Sequence, residues 1–184
     1  MQPQQRFQFC PQCGSARSAS NLRANPLRCE ACDFHFYFNP TLAAAAFLFD
    51  DEGRAIFIRR AKDPGIGKLT VPGGFVDIGE TAEEALAREV REEVGLEIAD
   101  VRYVCSMTNL YFYKDVTYPV CDLMFCGRAL QPETAAALDG ATAFVWLKLR
   151  DVDPEELAFP SVKRGLAILL EGQNPRTPHS LPSR

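Results

Sequence analysis

The stretch GGFVDIGETAEEALAREVREEVGL (73–96) does most to limit what this chain can fold into. Its centre predicts a helix over about 82–94: Thr81 with Glu84 makes a Thr-x-x-Glu capping box, and Gly95 supplies the stop. Each helical residue advances about 100° around the axis, so with Glu89 at zero, Glu92 and Glu93 fall near ~300° and ~40°. Ala82, Ala85 and Leu86 share that arc, about 120° wide. The face that packs in the first two turns is thus filled with carboxylates in the next two. Arg88, Arg91 and Glu84 fall on the other side, where solvent is expected. Clustered glutamates ordinarily mark a solvated acidic face. Here they continue an apolar stripe, and carboxylates desolvated without partners are costly. A divalent cation resolves the conflict. Magnesium takes oxygen ligands and keeps waters that phosphates can displace, and Glu residues at i, i+3 and i+4 can bracket one or two such ions. Gly73 and Gly74, just upstream, let backbone approach a ligand closely, or simply make a turn. A carbonyl there can complete a metal shell, and the helix N-terminus can face phosphate.

The rest of the composition sets the frame. The 184 residues are 47% apolar and 24% charged, which suits one mid-sized globular domain with a small appendage. The net charge of −4 disfavours a purely phosphate-driven nucleic-acid binder, and an acidic enzyme acting on phosphates needs cations to offset repulsion. MQPQQRFQF lacks a signal-peptide pattern, and the longest apolar run, LAAAAFLF (42–49), is too short to span a bilayer. The expected compartment is the cytoplasm, where cysteines serve as metal ligands or free thiols.

Four of the seven cysteines come as CPQC (10–13) and CEAC (29–32), fifteen residues apart. That spacing matches a closed four-thiolate Zn²⁺ site, in which the metal replaces a core that residues 1–40 are too few to build. Gly14 follows the first pair and Asp33 takes the matching place after the second. His35 is superfluous beside four thiolates.

From 41 onward the pattern alternates between strand and helix. TLAAAAFLFD (41–50) and RAIFIRRA (54–61) read as a hairpin around DDEG. VRYVCSM (101–107), YPVCDLMFCGRAL (118–130) and TAFVWLKL (142–149) read as further strands, and SVKRGLAILLE (161–171) as a closing helix capped by Ser161. GIGKL is not a phosphate-binding P-loop, since Lys62 stands where its first glycine is needed and Leu69 where Ser or Thr is. The expected class is α/β, a sandwich with mixed sheets over 41–172. Residues 173–184 are polar and proline-rich, the composition of a disordered tail.

The spacing Gly74, five residues, Glu80, seven residues, Arg88-Glu89-Val90-x-Glu92-Glu93-x-Gly95-Leu96 resembles the complete box of the Nudix pyrophosphohydrolases, 23 residues with every fixed position present. The resemblance implies a Nudix-type α/β/α sandwich preceded by a zinc ribbon. It also implies hydrolysis of a nucleoside-diphosphate-linked compound by water attack on phosphorus, with Mg²⁺ or Mn²⁺. Glu89, Glu92 and Glu93 would be the ligands of that metal, and Glu80 with Arg88 a link between loop and helix. Glu89 is the first choice of general base, with Asp115, Asp122, Glu133 and Asp139 as alternatives. The only histidines, His35 and His179, lie outside this region, which favours carboxylate and metal chemistry over a Ser-His-Asp scheme. A ribbon before the box is similar to the NADH pyrophosphatase subgroup and to FAD and ADP-ribose pyrophosphatases. Of the Ser-Gln-Pro-Trp-Pro-Phe-Pro signature of the first, only Ser106 is matched in SMTNLYFYKDVTYP (106–119). A homodimer is implied by the same likeness.

In that stretch Tyr111, Phe112, Tyr113 and Tyr118 have faces for stacking on a base, and Asn109 and Lys114 have polar groups to hold one. Alternating aromatics in a strand pair equally suit cross-strand packing. Arg59, Arg60, Lys62 and Lys68 are candidates for phosphate contact or for plain solvation. Cys105, Cys121 and Cys126 alternate with apolar residues, as core thiols do. A different class of function is a nucleotide-sensing or nucleic-acid-binding module docked through the ribbon. Arg6, Arg17, Arg23 and Arg28 outnumber Glu30 and Asp33 there, and nucleotide-capped RNA joins the two readings.

Overall fold

The computed structural model describes residues 1–172, so the tail expected over 173–184 lies outside the described residues. Two compact units form. One is Met1–Thr41 with Leu110–Val120; the other is Leu42–Asn109 with the chain from Cys121 onward.

The first unit has little regular structure. Strands β1 (Leu27–Arg28) and β2 (His35–Phe36) pair antiparallel. Its buried side chains include Leu27, Cys10 and Cys29; Phe7 stacks on Phe36 with ring centroids 6.1 Å apart, and Phe38 meets both edge-on at 5.1 Å. Arg17 is an internal staple: its guanidinium donates to the carbonyls of Gln4 (3.0 Å), Phe7 (2.7 Å) and Asn21. In Leu110–Val120, Lys114 and Asp115 both take left-handed φ, 45° and 64°, as a two-residue hairpin turn requires. Thr117 N–H donates to the Met1 carbonyl at 2.8 Å.

The second unit is a sheet with a helix on each face. The elements that build it are β3 (Thr41–Phe49), β4 (Ala55–Arg60), β5 (Leu69–Thr70), β6 (Gly73–Phe75), α1 (Ala82–Val94), β7 (Glu97–Tyr113), β8 (Val116–Leu130), β9 (Ala141–Leu147) and α2 (Pro160–Gly172), with Thr41 and the 110–120 ends of β7 and β8 belonging to the first unit. The strand order is β5-β4-β3-β8-β7, with β6 also on β3 and β9 also on β4. The long apolar reading of β3 and β4 follows from burial on both faces. Ala44, Ala46, Leu48, Ile56 and Ile58 pack with Leu86, Val90 and Val94 of α1. Phe47, Ala55 and Phe57 pack with Val162 and Leu166 of α2. A Cβ on Gly165 would lie 2.8 Å from the Phe47 ring, so α2 sits close against the sheet. This is the expected α/β/α sandwich. No described helix is long and apolar enough to cross a membrane.

Three local readings change. Strands β5 and β6 form within 61–75, where the sequence pattern shows no strand, and Gly73 and Gly74 lie in a strand rather than a turn. β7 runs from Glu97 to Tyr113, well beyond 101–107. Helix α2 starts at Pro160, whose fixed φ suits a first helical position. Ser161 is therefore inside the first turn rather than capping it; it is 1% exposed and hydrogen-bonded to the buried Asp122.

Candidate active site

Helix α1 is fixed at both ends. The Thr81 hydroxyl accepts from Glu84 N–H (3.2 Å) and the Glu84 carboxylate accepts from Thr81 N–H (2.8 Å). Gly95 ends the helix in the left-handed region at φ 69°, and its N–H donates to the Arg91 carbonyl. The carbonyls of Glu92, Glu93 and Val94, orphaned by the helix end, accept from the amides of Asp139, Leu138 and Ala136 at 2.9–3.2 Å. One loop thereby closes the last turn.

The packing face of α1 passes through Ala85, Leu86, Val90 and Val94. On the wheel Val90 and Val94 lie near ~100° and ~140°, so the buried arc turns away from Glu92. Two of the three glutamates remain in it. The Glu89 side chain is 18% exposed and the Glu92 side chain 54%. Glu93 reaches β6, accepting from Gly73 N–H at 2.9 Å. Glu92 is a rim residue, not a continuation of the stripe.

Strand β6 explains the paired glycines. In the β3 register Ala44 faces Gly74 and Ala45 faces Gly73. A Cβ on Gly74 would lie 2.4 Å from Glu89 Oε1, and one on Gly73 would lie 2.2 Å from the Ala44 carbonyl oxygen. Any side chain at Gly74 would fill the space of the Glu89 carboxylate. Arg88, which the wheel alone turns toward solvent and the Nudix resemblance links to Glu80, is the hub of the site. Its Nε and Nη2 fork onto Glu80 at 2.8 and 3.0 Å. Nη2 also reaches the Phe75 carbonyl (3.0 Å), while Nη1 lies between Glu89 (2.8 Å) and Glu92 (3.2 Å). Asp77 contributes through its N–H, which donates to the second oxygen of Glu80 at 3.1 Å. Nothing in the linear pattern singles out Asp77; its role comes from loop geometry.

The electrostatics divide these carboxylates. Hydrogen bonds from Arg88 hold Glu80 below the usual carboxylate range, and Glu80 in turn raises Arg88. Burial raises Glu89 against the opposing pull of Arg88, with Glu92 and Asp77 adding repulsion. Burial pushes Glu93 up to about 8; the Gly73 N–H and the charge of Arg60 act downward, and Glu89 and Asp139 act upward. Enclosed oxygen donors that repel one another fit a hard divalent cation, whose charge would relieve both burial and repulsion.

The cysteine cluster is built differently. Gly14 N–H donates to Cys10 O and Asp33 N–H to Cys29 O, both at 2.9 Å. Gly14 (φ 75°) and Asp33 (φ 56°) both take the left-handed conformation, so the two knuckles are near copies despite the sequence difference. The Sγ atoms of Cys10, Cys13, Cys29 and Cys32 lie within 4.8 Å of one another, the one such group of three or more ligands among the described residues. Two pairs stand 3.6 and 3.8 Å apart. A tetrahedron with Zn–S bonds of about 2.3 Å has edges of about 3.8 Å, whereas a disulfide needs about 2.0 Å. The thiols fit a structural zinc. His35 lies 3.7 Å from Asp33 rather than in the cluster.

The remaining candidates scatter. Tyr111, Tyr113 and Tyr118 belong to Leu110–Val120 of the first unit, and Lys114 sits over the Tyr113 ring at 5.1 Å. Asn109 belongs to the second unit, where its amide donates to Asp122 at 3.0 Å. Among the alternative bases, Asp115 lies in the hairpin turn, Asp122 is buried with Asn109 and Ser161, and Glu133 is exposed. Asp139 alone of these brings its charge to Glu93. Cys126 is buried; Cys105 is partly buried and burial raises its thiol.

Comparison with known proteins agrees with this geometry. Residues 39–166 match the NUDIX domain family model. The chain is 29% identical over 150 residues to the NAD-capped RNA hydrolase NudC of Vibrio atlanticus, covering 82% of this chain and 54% of that protein. It is 34% identical over 102 residues to the NudC of Vibrio vulnificus, covering 55% and 38%. The chain thus spans about half, or less, of the curated relatives it matches. In fold it is similar to a NUDIX hydrolase from Nitrosomonas europaea, with a TM-score of 0.68, 21% identity, and coverage of 93% of this chain and 94% of that one. It is also similar to the NUDIX domain of Shewanella oneidensis NrtR, solved with ADP ribose, with a TM-score of 0.56, 19% identity, and coverage of 76% and 90%. With the family model covering most of its length, the chain belongs to the NUDIX domain family.

Proposed function

We propose that the protein is a metal-dependent pyrophosphohydrolase that cleaves the diphosphate of a dinucleotide of the NADH, ADP-ribose or FAD class. The observation that carries this reading is the pair Glu89 and Glu93. Both are partly buried against the glycines of β6, and both are raised by burial. Glu89, Glu92 and Glu93 would hold Mg²⁺ or Mn²⁺, and the four cysteines would hold Zn²⁺ as a structural ion. Bound at the glutamates, a divalent ion supplies an activated water and neutralises phosphoryl charge.

The protein's own residues do the positioning. Arg88, anchored on Glu80 and the Phe75 carbonyl, sets the orientation of Glu89 and favours its ionised form. Gly73 N–H does the same for Glu93. Water adds to phosphorus, a proton passes to Glu89 as base, and the bridging P–O bond breaks to leave two phosphate monoesters. Asp139, beside Glu93, is the alternative base.

The name of the curated relatives supports a second substrate, the NAD-capped end of an RNA. A pure sensor needs no such set of enclosed carboxylates, so binding without turnover is the less favoured reading. Purified protein with Mg²⁺ or Mn²⁺ is tested on NADH, ADP-ribose, FAD and an NAD-capped oligoribonucleotide. Release of two 5′-phosphorylated products from at least one is expected. No turnover of any would overturn the hydrolase reading, and salt-sensitive RNA binding without turnover would replace it with a docking module.

A further inference from the structure

The four cations of 59–68 are not equivalent in the structure. Arg59 Nη1 donates to the Gly67 carbonyl at 2.6 Å and lies 3.8 Å from Glu156. Lys62 is paired with Asp139 at 3.2 Å, and Lys68 donates to the Glu155 carbonyl at 3.2 Å. Arg60 is held at Nε and over one face. Its Nε donates to the Pro64 carbonyl at 2.6 Å, and its guanidinium carbon sits 4.7 Å from the centroid of the Phe159 ring. Neither Nη carries a hydrogen bond or ion pair among the described residues. Nor are they sealed off: among the described residues, Arg17 Nε is the one buried side-chain nitrogen or oxygen without a partner.

Arg60 also stands at the metal-binding end of the site. It is opposite Ala141 in the β4–β9 pairing, after a register shift between Arg59 and Arg60. Such a shift re-aims the side chains that follow it. The next amide, Ala61 N–H, donates to the Gly140 carbonyl at 2.9 Å, and a Cβ on Gly140 would lie 3.5 Å from Glu93 Oε1. A guanidinium braced through Nε and one face, with its outer Nη edge open, is built to receive two oxygens of one anionic group.

We propose that Arg60 grips a phosphate of the substrate through Nη1 and Nη2, with Pro64 and Phe159 setting the angle of the fork. This rests on the hydrolase reading for the identity of the substrate, but not for the presence of a phosphate site. Arg60 is then a binding residue that fixes which phosphate lies beside Glu93, while Lys62 and Lys68 remain solvated surface.

The test compares phosphate with its absence. AMP and adenosine are titrated into the full chain with Mg²⁺ by calorimetry, for wild type, Arg60→Ala, Arg60→Lys and Lys68→Ala. Arg60→Ala is expected to weaken AMP by about 10- to 100-fold, the range for charge-assisted hydrogen bonds, and to leave adenosine unchanged. Arg60→Lys keeps the charge but not the fork and should recover only part of the loss; Lys68→Ala should match wild type. Melting curves check that each variant folds, and Arg60→Lys serves if Arg60→Ala does not. Equal weakening of AMP and adenosine would show a structural role and overturn the proposal, as would unchanged AMP binding. Turnover separates the two readings. A wild type that hydrolyses dinucleotides while Arg60→Ala keeps its KM sinks the Arg60 role alone. A wild type without turnover whose AMP binding depends on Arg60 sinks the hydrolase reading alone.

Discussion

The four cysteines and the three glutamates are the two candidate metal-binding sets of the protein, and they are built differently. The cysteines sit on matched knuckles that bring all four sulfurs within 4.8 Å. With Zn²⁺ bound, the four thiolates would form a closed set and leave no position for a reactant. The glutamates sit on one helix in graded burial, with two protein donors among them: Arg88 for Glu89 and Glu92, Gly73 N–H for Glu93. That set is open on one side. On the proposed function, the closed cluster would substitute for a core, and the open one would leave a coordination shell for a substrate to enter.

The sharpest way to break this contrast is to remove one ligand from each set. Cys10→Ser should cost the first unit most of its folding energy, since structural zinc in small modules contributes about 10 kcal/mol or more. Elemental analysis should show zinc lost and circular dichroism should show altered structure. A variant that folds normally without zinc would put the two clusters on the same footing. Gly73→Ala should come next. Its φ of 148° and a Cβ 2.2 Å from the Ala44 carbonyl oxygen leave no room, and a loss of about 3 kcal/mol or more is expected by chemical denaturation.

Glu93→Gln should do the reverse of Cys10→Ser. It removes a charge that burial opposes, so activity should fall by about 100-fold or more while the melting temperature holds or rises. The pH dependence has a defined sign. With the carboxyl raised to about 8 from about 4.3 in the unfolded chain, the folded state binds the extra proton. Metal-free protein should therefore lose stability as pH climbs from about 4 through 8. Melting curves across that range should flatten in Glu93→Gln and in excess Mg²⁺. A metal-free wild type that grows more stable with rising pH would contradict the burial of Glu93. The smallest effect is expected at Asp33→Gly. Relief of a left-handed non-glycine residue should gain about 0.5–1 kcal/mol in the first unit, offset in part by the lost Arg28 pair.

Much of this contrast is legible in the sequence, because both clusters are set by spacing along the chain. The knuckles need only two CxxC pairs, and α1 announces itself by its capping box, its stripe and Gly95. The sheet buried on both faces also shows in the unbroken apolar runs of β3 and β4. What the pattern hid depends on partners distant in sequence. The wheel put Glu92 with Glu89 and Glu93, because it cannot know that the sheet meets the helix at Val90 and Val94. It also turns Arg88 toward solvent, because the Glu80 loop that folds back onto it is not periodic; only the spacing of the box points to that pair. The two glycines read as a place of close backbone approach or as a turn, and not as a strand, because strand β6 is only three residues long and is defined by its pairing with β3. The aromatic stretch 106–119 carried no sign of where the chain passes from one unit to the other, which is at Asn109 and again at Val120.

The loop that closes the last turn of α1 has a consequence for observation. The amides of Ala136, Leu138 and Asp139 are tied to the carbonyls of Val94, Glu93 and Glu92. Their exchange with deuterium therefore gauges the tightness of the very turn that carries two of the three glutamates. Slowing of those three signals when Mg²⁺ is added would report occupancy of the site through the backbone, with no substrate and no turnover.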